Sequence, residues 1–149
     1  MTLNKEGLDV IKMFEGLSLT AYRCPASKIT IGFGNTFYED GNPVQMGDKI
    51  TKERADYLLA KVAEMFGDKM KKYIKKPLNS NQFSALVSFA YNCGIGNFSG
   101  STLLKKVNAN PNDPTIRQEF MKWNRSSGKV LNGLTRRREA EANLYFKTP

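Results

Sequence analysis

The hydropathy pattern changes period near residue 50, and that change commits the chain to a mixed architecture. Before it, apolar and polar side chains alternate. Leu17, Leu19 and Ala21 fall on one parity, and Ser18, Thr20, Tyr22 and Cys24 on the other. Ile29, Ile31 and Phe33 then alternate with Thr30, Gly32 and Gly34. A period of two belongs to strands, and the proline- and serine-containing stretch 25–28 reads as a turn. Two antiparallel strands are expected, with a third short strand over 36–38 ahead of a turn at 39–43.

After residue 50 the period is that of a helix. Thr51 can cap it, and Ala55, Leu58, Leu59, Val62, Met65 and Phe66 form its apolar stripe. The pattern can continue through Met70 and Ile74 to a stop at Pro77, with Gly67 as a place for a bend. A helix from residue 79 or 80 to about 91 is apolar on most sides and is expected to be central and buried. Stretch 92–97 ends it. Further helices are expected over 101–107, from the Asp113-Pro114 pair onward with Ile116, Phe120 and Trp123 on its face, and over 134–146. Stretch 126–132 reads as turns. Ahead of the strands, Asn4 can cap a helix that runs to Glu15 and stops at Gly16. The fold class expected is therefore α+β in a single domain. A small antiparallel β lobe covers about 17–48. A larger helical lobe covers about 51–146 and takes in the N-terminal helix 4–15, with a cleft between the lobes.

Composition narrows the chemistry. The chain has no histidine, so histidine-based triads and histidine-ligated metal sites are excluded. Its two cysteines, Cys24 and Cys93, do not make a disulfide framework. There are 23 basic and 14 acidic residues, a net charge of +9 that favours anionic partners without choosing among them. Lys61, Lys69, Lys71, Lys72, Lys75 and Lys76 read as a solvated face that can also draw the protein to anionic polymers. No metal or organic cofactor is indicated. No apolar run approaches the ~20 residues that span a bilayer. The N-terminal stretch lacks the uninterrupted apolar core of a signal peptide, so cytoplasmic residence is expected.

Glu15 is the most informative residue. It ends a helix, where the dipole disfavours a carboxylate, and it shares a stripe with Leu8 and Ile11, which points it inward. Both effects favour the protonated carboxyl that a general acid needs. A surface glutamate, or one simply paired with an arginine, would fit the same position. If 25–29 form the hairpin loop, Cys24 sits opposite Thr30, placing a thiol and a hydroxyl together on the polar face.

These residues carry a resemblance. Segment 15–36, EGLSLTAYRCPASKITIGFGNT, resembles the active-site signature of the phage-type lysozymes (endolysins or muramidases, glycoside hydrolase family 24). Glu15 is followed after eight residues by Cys24 and after five more by Thr30. The resemblance continues through NQFSALVSFAYN at 81–92, CGIGNFS at 93–99, STLL at 101–104, GKVLNGL at 128–134 and RRREAE at 136–141. It implies a lysozyme-like fold that hydrolyses the β-1,4 bond between N-acetylmuramic acid and N-acetylglucosamine in bacterial peptidoglycan. Glu15 would protonate the leaving oxygen, and Cys24 and Thr30 would hold a water on the far face of the sugar. The implied protein is a monomer that accumulates in the host cytoplasm and reaches the wall through a separate membrane-permeabilising protein.

Gly32 and Gly34, which leave room for a glycan to approach the backbone, are candidate substrate contacts. So are Thr36 beyond them and Phe98 after the glycine-rich turn. Each also fits an ordinary loop or packing role. Trp123 reads as core rather than as a sugar platform. Arg136 or Arg137 is expected to orient Glu15, although Arg137 is equally spaced to pair with Glu141 within its own helix. The sequence departs from the family pattern where Cys24 replaces a carboxylate and where Asn35 stands in place of a common histidine. Three other readings share parts of this evidence: a basic nucleic-acid-binding domain, an inactive peptidoglycan-binding module, and a transglycosylase that forms an anhydro sugar without water.

Overall fold

Local capping sets the boundaries of most helices. In a computed structural model describing residues 1–149, α1 (Lys5–Glu15) starts where the Asn4 side chain accepts from the Gly7 amide at 3.0 Å. It ends where the Gly16 amide reaches back to the Lys12 carbonyl. The alternating stretch folds into β1 (Ser18–Arg23) and β2 (Ile29–Gly32), an antiparallel pair. The loop between them holds three residues, 25–27. The Cys24 amide donates to the Lys28 carbonyl at 2.9 Å, the Ser27 amide donates to the Cys24 carbonyl at 2.8 Å, and Ser27 takes a φ of 63°. A tight turn followed by a left-handed residue is a standard three-residue hairpin. It sets the register so that Thr30 faces Tyr22 and Cys24 pairs with Lys28. The expected direct opposition of Cys24 and Thr30 is therefore corrected: they are diagonal neighbours on one face.

Residues 48–50 run along the other edge of β1, with the Ala21 amide donating to Asp48 and the Ile50 amide to Leu19, both at 2.9 Å. No third strand forms over 36–38. Phe37 makes an isolated bridge to Pro43, which has no amide proton to extend a ladder.

The long helix α2 (Lys52–Lys71) is capped by Thr51 and stops well before Pro77. After it the chain turns, delivering Ile74 and Leu78 to the core. Gly67 does not break it. A Cβ there would lie 3.0 Å from the Phe83 ring, so the glycine lets α2 approach its neighbour closely. That neighbour, α3 (Ser80–Cys93), opens with a reciprocal cap between Asn79 and Gln82 and is buried throughout 81–90. The short α4 (Ile95–Ser99) occupies a stretch that reads in sequence only as a helix end. Then come α5 (Thr102–Ala109) and α6 (Ile116–Met121). The latter begins beyond Asp113-Pro114, because Asp113 takes its hydrogen bonds from Thr115 in a local turn. A small hairpin, β3 (Arg125–Ser126) and β4 (Lys129–Val130), precedes the last helix, α7 (Asn132–Phe146).

Two apolar clusters result. The large one surrounds α3 and includes Ile11, Phe33, Leu59, Phe89, Phe98, Phe120 and Tyr145. The small one seats the hairpin on α2 through Ala21, Ile31, Val44, Leu58 and Val62. Glu15 ends the first helix, just ahead of the hairpin.

Candidate functional site

Three elements converge on the Glu15 carboxyl. From α7, Arg137 Nη1 donates to Glu15 Oε2 at 2.6 Å. From the loop after β2 comes Gly34, with a φ of +78°. A Cβ on Gly34 would stand 2.6 Å from Glu15 Oε1, so the carboxyl occupies the space a side chain would need. From α3, Tyr91 steadies that loop: its hydroxyl donates to the Phe33 carbonyl at 2.8 Å and accepts from Asn35 Nδ2 at 2.8 Å. Tyr91 is held well above the usual phenol range by burial first and by the nearby Glu15 charge second. The Glu15 side chain keeps 20% exposure, enough to meet a ligand but not to swing freely. It also lines an open groove of about 470 Å³ with Met13, Phe14, Asn92, Arg136 and Arg137.

Behind Arg137 lies a buried ionic cluster. Its Nε donates to Glu141 Oε2 at 3.3 Å and its Nη2 to the Ser88 carbonyl at 3.2 Å. Glu141 also accepts from Ser88 Oγ at 2.6 Å, and Arg138 Nε lies 2.9 Å from its other oxygen. That last contact is electrostatic and poorly aligned, since neither atom has a proper hydrogen-bond partner. Arg138 is anchored by Asn92 Oδ1 at 2.6 Å, by Cys93 Sγ at 2.7 Å and by the Phe89 ring at 5.1 Å from its centroid. The two pairings weighed for Arg137 in sequence thus coexist, because a guanidinium offers several donors in one plane.

Cys24 and Thr30 form a second group, on the hairpin. The Lys28 backbone beside the Cys24 sulfur holds its thiol below the usual range, with help from the Ala26 backbone and the Thr30 hydroxyl. Thr30 is buried and its Oγ1 donates to the Lys28 carbonyl at 3.1 Å. Gly32 ends β2, against Asn35 and Ile50. Thr36 is half-buried, and its carbonyl accepts from the Val44 amide. Arg136 is exposed on the groove wall and Arg137 is buried at the ion pair. Phe98 does not line a cleft. It has no exposed surface and packs edge-on against Phe89, 6.4 Å between centroids, because α4 turns it into the core. Trp123 packs edge-on against the same ring at 5.4 Å and is partly buried. Sequence reading passed over Tyr91 and Ser88, which nothing in a helical pattern distinguishes from other core positions. Glu141 did leave a trace, since it shares a face with two arginines.

The profile of the phage lysozyme family matches residues 12–141. The chain is 44% identical over 148 residues to an endolysin of Bacillus phage B103, covering 98% of this chain and 54% of that protein; it thus spans about half of that relative's length. Among solved structures it resembles an endolysin from Escherichia coli O157:H7 phage FAHEc1, with a TM-score of 0.88 and 43% identity over 98% of this chain and 94% of that one. It also resembles the muramidase domain of SpmX from Asticaccaulis excentricus, with a TM-score of 0.86 and 33% identity over 99% of each chain.

Proposed function

The chain belongs to the phage lysozyme family, and from that premise we propose that it is a single lysozyme-like domain that cleaves bacterial peptidoglycan at the β-1,4 bond following N-acetylmuramic acid. Glu15 serves as the general acid, giving its proton to the departing glycosidic oxygen. A partly desolvated carboxyl beside a groove suits that task, because it must meet substrate and yet keep a fixed direction. Cys24 and Thr30 hold a water for attack on the opposite face of the sugar, which gives an inverting hydrolysis through an oxocarbenium-like transition state. The observation that carries this reading is the Glu15 carboxyl held between Arg137 and Gly34, one side against the loop that follows β2.

No helix is long and apolar enough to cross a membrane. From the likeness to endolysins we also propose that access to the wall depends on a separate membrane-permeabilising protein.

The test is lysis of purified peptidoglycan by the wild type and by Glu15→Gln, Cys24→Ser and Cys24→Asp, with product masses recorded. Glu15→Gln is expected to lose at least about a thousandfold in rate. Cys24→Ser is expected to lose much of its activity and Cys24→Asp to keep part of it. Products carrying one added water are expected. Full activity in Glu15→Gln ends the assignment, and anhydro products replace hydrolysis by transglycosylation.

A further inference from the structure

We propose that Glu141, buried on α7 without any exposed surface, is a positioning residue for Glu15 and acts on it through Arg137. The proposal rests on the reading of Glu15 as the acid. A guanidinium is planar, so fixing two of its nitrogens fixes the direction of the third. Arg137 Nε is held by Glu141 and Nη2 by the Ser88 carbonyl, which leaves Nη1 aimed at Glu15. Glu141 is itself fixed by Ser88 Oγ and by the charge of Arg138. The result is a relay of position: α3 holds Glu141, Glu141 holds Arg137, and Arg137 holds Glu15.

The charges give the relay a second effect. Burial pushes Glu141 up, and the Arg138 and Arg137 guanidinium groups pull it back down; with Glu141 ionised, two carboxylates and two guanidinium groups balance within the cluster, and Arg137 divides its attraction between Glu15 and Glu141. If Glu141 loses its charge, Arg137 turns wholly to Glu15. That favours the ionised carboxylate over the protonated form that acid catalysis consumes.

The other groups around the cluster do not blur this effect. On α3, Tyr91 and Cys93 are both pushed up by burial, so they stay neutral through the acid and neutral range. On α1, Lys12 is engaged with Asp56 at 3.1 Å.

The experiment measures initial rates of peptidoglycan lysis from about pH 4 to about pH 9, with melting curves, for the wild type, Glu141→Gln, Glu141→Asp, Ser88→Ala and a Glu15→Gln control. Glu141→Gln is expected to move the basic limb of the profile down by about half a pH unit or more, and to lower the rate on that limb about threefold. Glu141→Asp, which keeps the charge, is expected to return the limb most of the way. Ser88→Ala is expected to move it in the same direction by less. A purely structural role would lower the melting temperature and leave the limb of the folded enzyme in place. An unmoved limb in Glu141→Gln, alongside an inert Glu15→Gln, overturns the proposal and leaves the catalytic reading intact. An active Glu15→Gln overturns that reading instead. If Glu141→Gln does not fold, Ser88→Ala decides, and an unmoved limb there overturns the proposal.

Discussion

The two halves of the candidate site are built in opposite ways. At the Glu15 end, a charged cluster sits between packed helices, and each member is fixed by a partner with little or no exposure. At the Cys24 end, residues 25–28 are all exposed, and the thiol is steadied by backbone groups of its own hairpin. The core beneath differs in the same sense: a cluster of 23 buried apolar residues gathers on and around α3, whereas five seat the hairpin. The difference matches what each part is asked to do. A proton donor must point in one direction, and an ångström of error in such a group can cost about a hundredfold. A thiol and a hydroxyl that hold a mobile water tolerate more.

The largest effect is expected from Arg137→Met. It leaves Glu141 buried with Arg138 as its only counter-charge and leaves Glu15 without an ion pair. Removing one partner of a buried pair typically costs about 3–5 kcal/mol. Unfolding in denaturant should show a loss of that size together with loss of lysis. The matched change on the hairpin, Thr30→Val, removes a neutral hydroxyl hydrogen bond and should cost only about 0.5–1.5 kcal/mol. Equal losses at the two positions would break the contrast between the halves.

A sharper test compares two glycines. Gly34 and Gly41 both have left-handed backbones, with φ of +78° and +89°. Alanine at either position costs about 1–2 kcal/mol in backbone strain. They differ in what the new methyl meets: Glu15 Oε1 at 2.6 Å for Gly34, and nothing within 4 Å for Gly41. Gly34→Ala should be the more destabilised, because its methyl also pushes Glu15 from its ion pair with Arg137. Gly34→Ala should lose about a hundredfold in lysis rate through displacement of the carboxyl, while Gly41→Ala keeps its rate. Comparable activity in both would mean that the seat of Glu15 is softer than its contacts imply.

The same contrast explains what could be read in advance. Caps and periodicity are local signals, so Asn4 and Thr51 marked their helix starts, and the alternation of 17–34 marked the hairpin. Loop closure is less local. Ser27 adopts a left-handed conformation that its side chain does not advertise, and this shifted the pairing of Thr30 from Cys24 to Tyr22. Phe98 looked like a cleft residue because it follows a glycine-rich turn, and only the extra helix α4 reveals that it points inward. In sequence, Glu141 reads only as a partner for Arg137 within its own helix. The buried face of α7 includes Arg137, Arg138 and Glu141, and hydropathy reads such a face as solvent-exposed. Charged residues can fill a core position only when a neighbouring helix supplies their partners, and one helix's sequence cannot say that.

The smallest effect uses the two cysteines as reporters, one in each region. Cys24 is held below the usual thiol range by the backbone of its loop, while burial pushes Cys93 above it. A lowered value means that the thiolate is already present at a pH where an ordinary thiol is protonated. A raised value means that it appears only at higher pH. The thiolate is the reactive form, so iodoacetamide near neutral pH should modify Cys24 at least about tenfold faster than Cys93. The Cys24 rate should level off at lower pH than that of a free thiol, while the Cys93 rate keeps climbing. Peptide mass mapping over a time course reads both sites in one sample. Cys93 also accepts a hydrogen bond from Arg138, so its modification should follow loosening of the ionic cluster. In Arg137→Met the gap between the two cysteines should therefore narrow, and in Thr30→Val it should stay wide. Equal rates in the wild type, or Cys93 reacting first, would show that the buried end is not the better-held half.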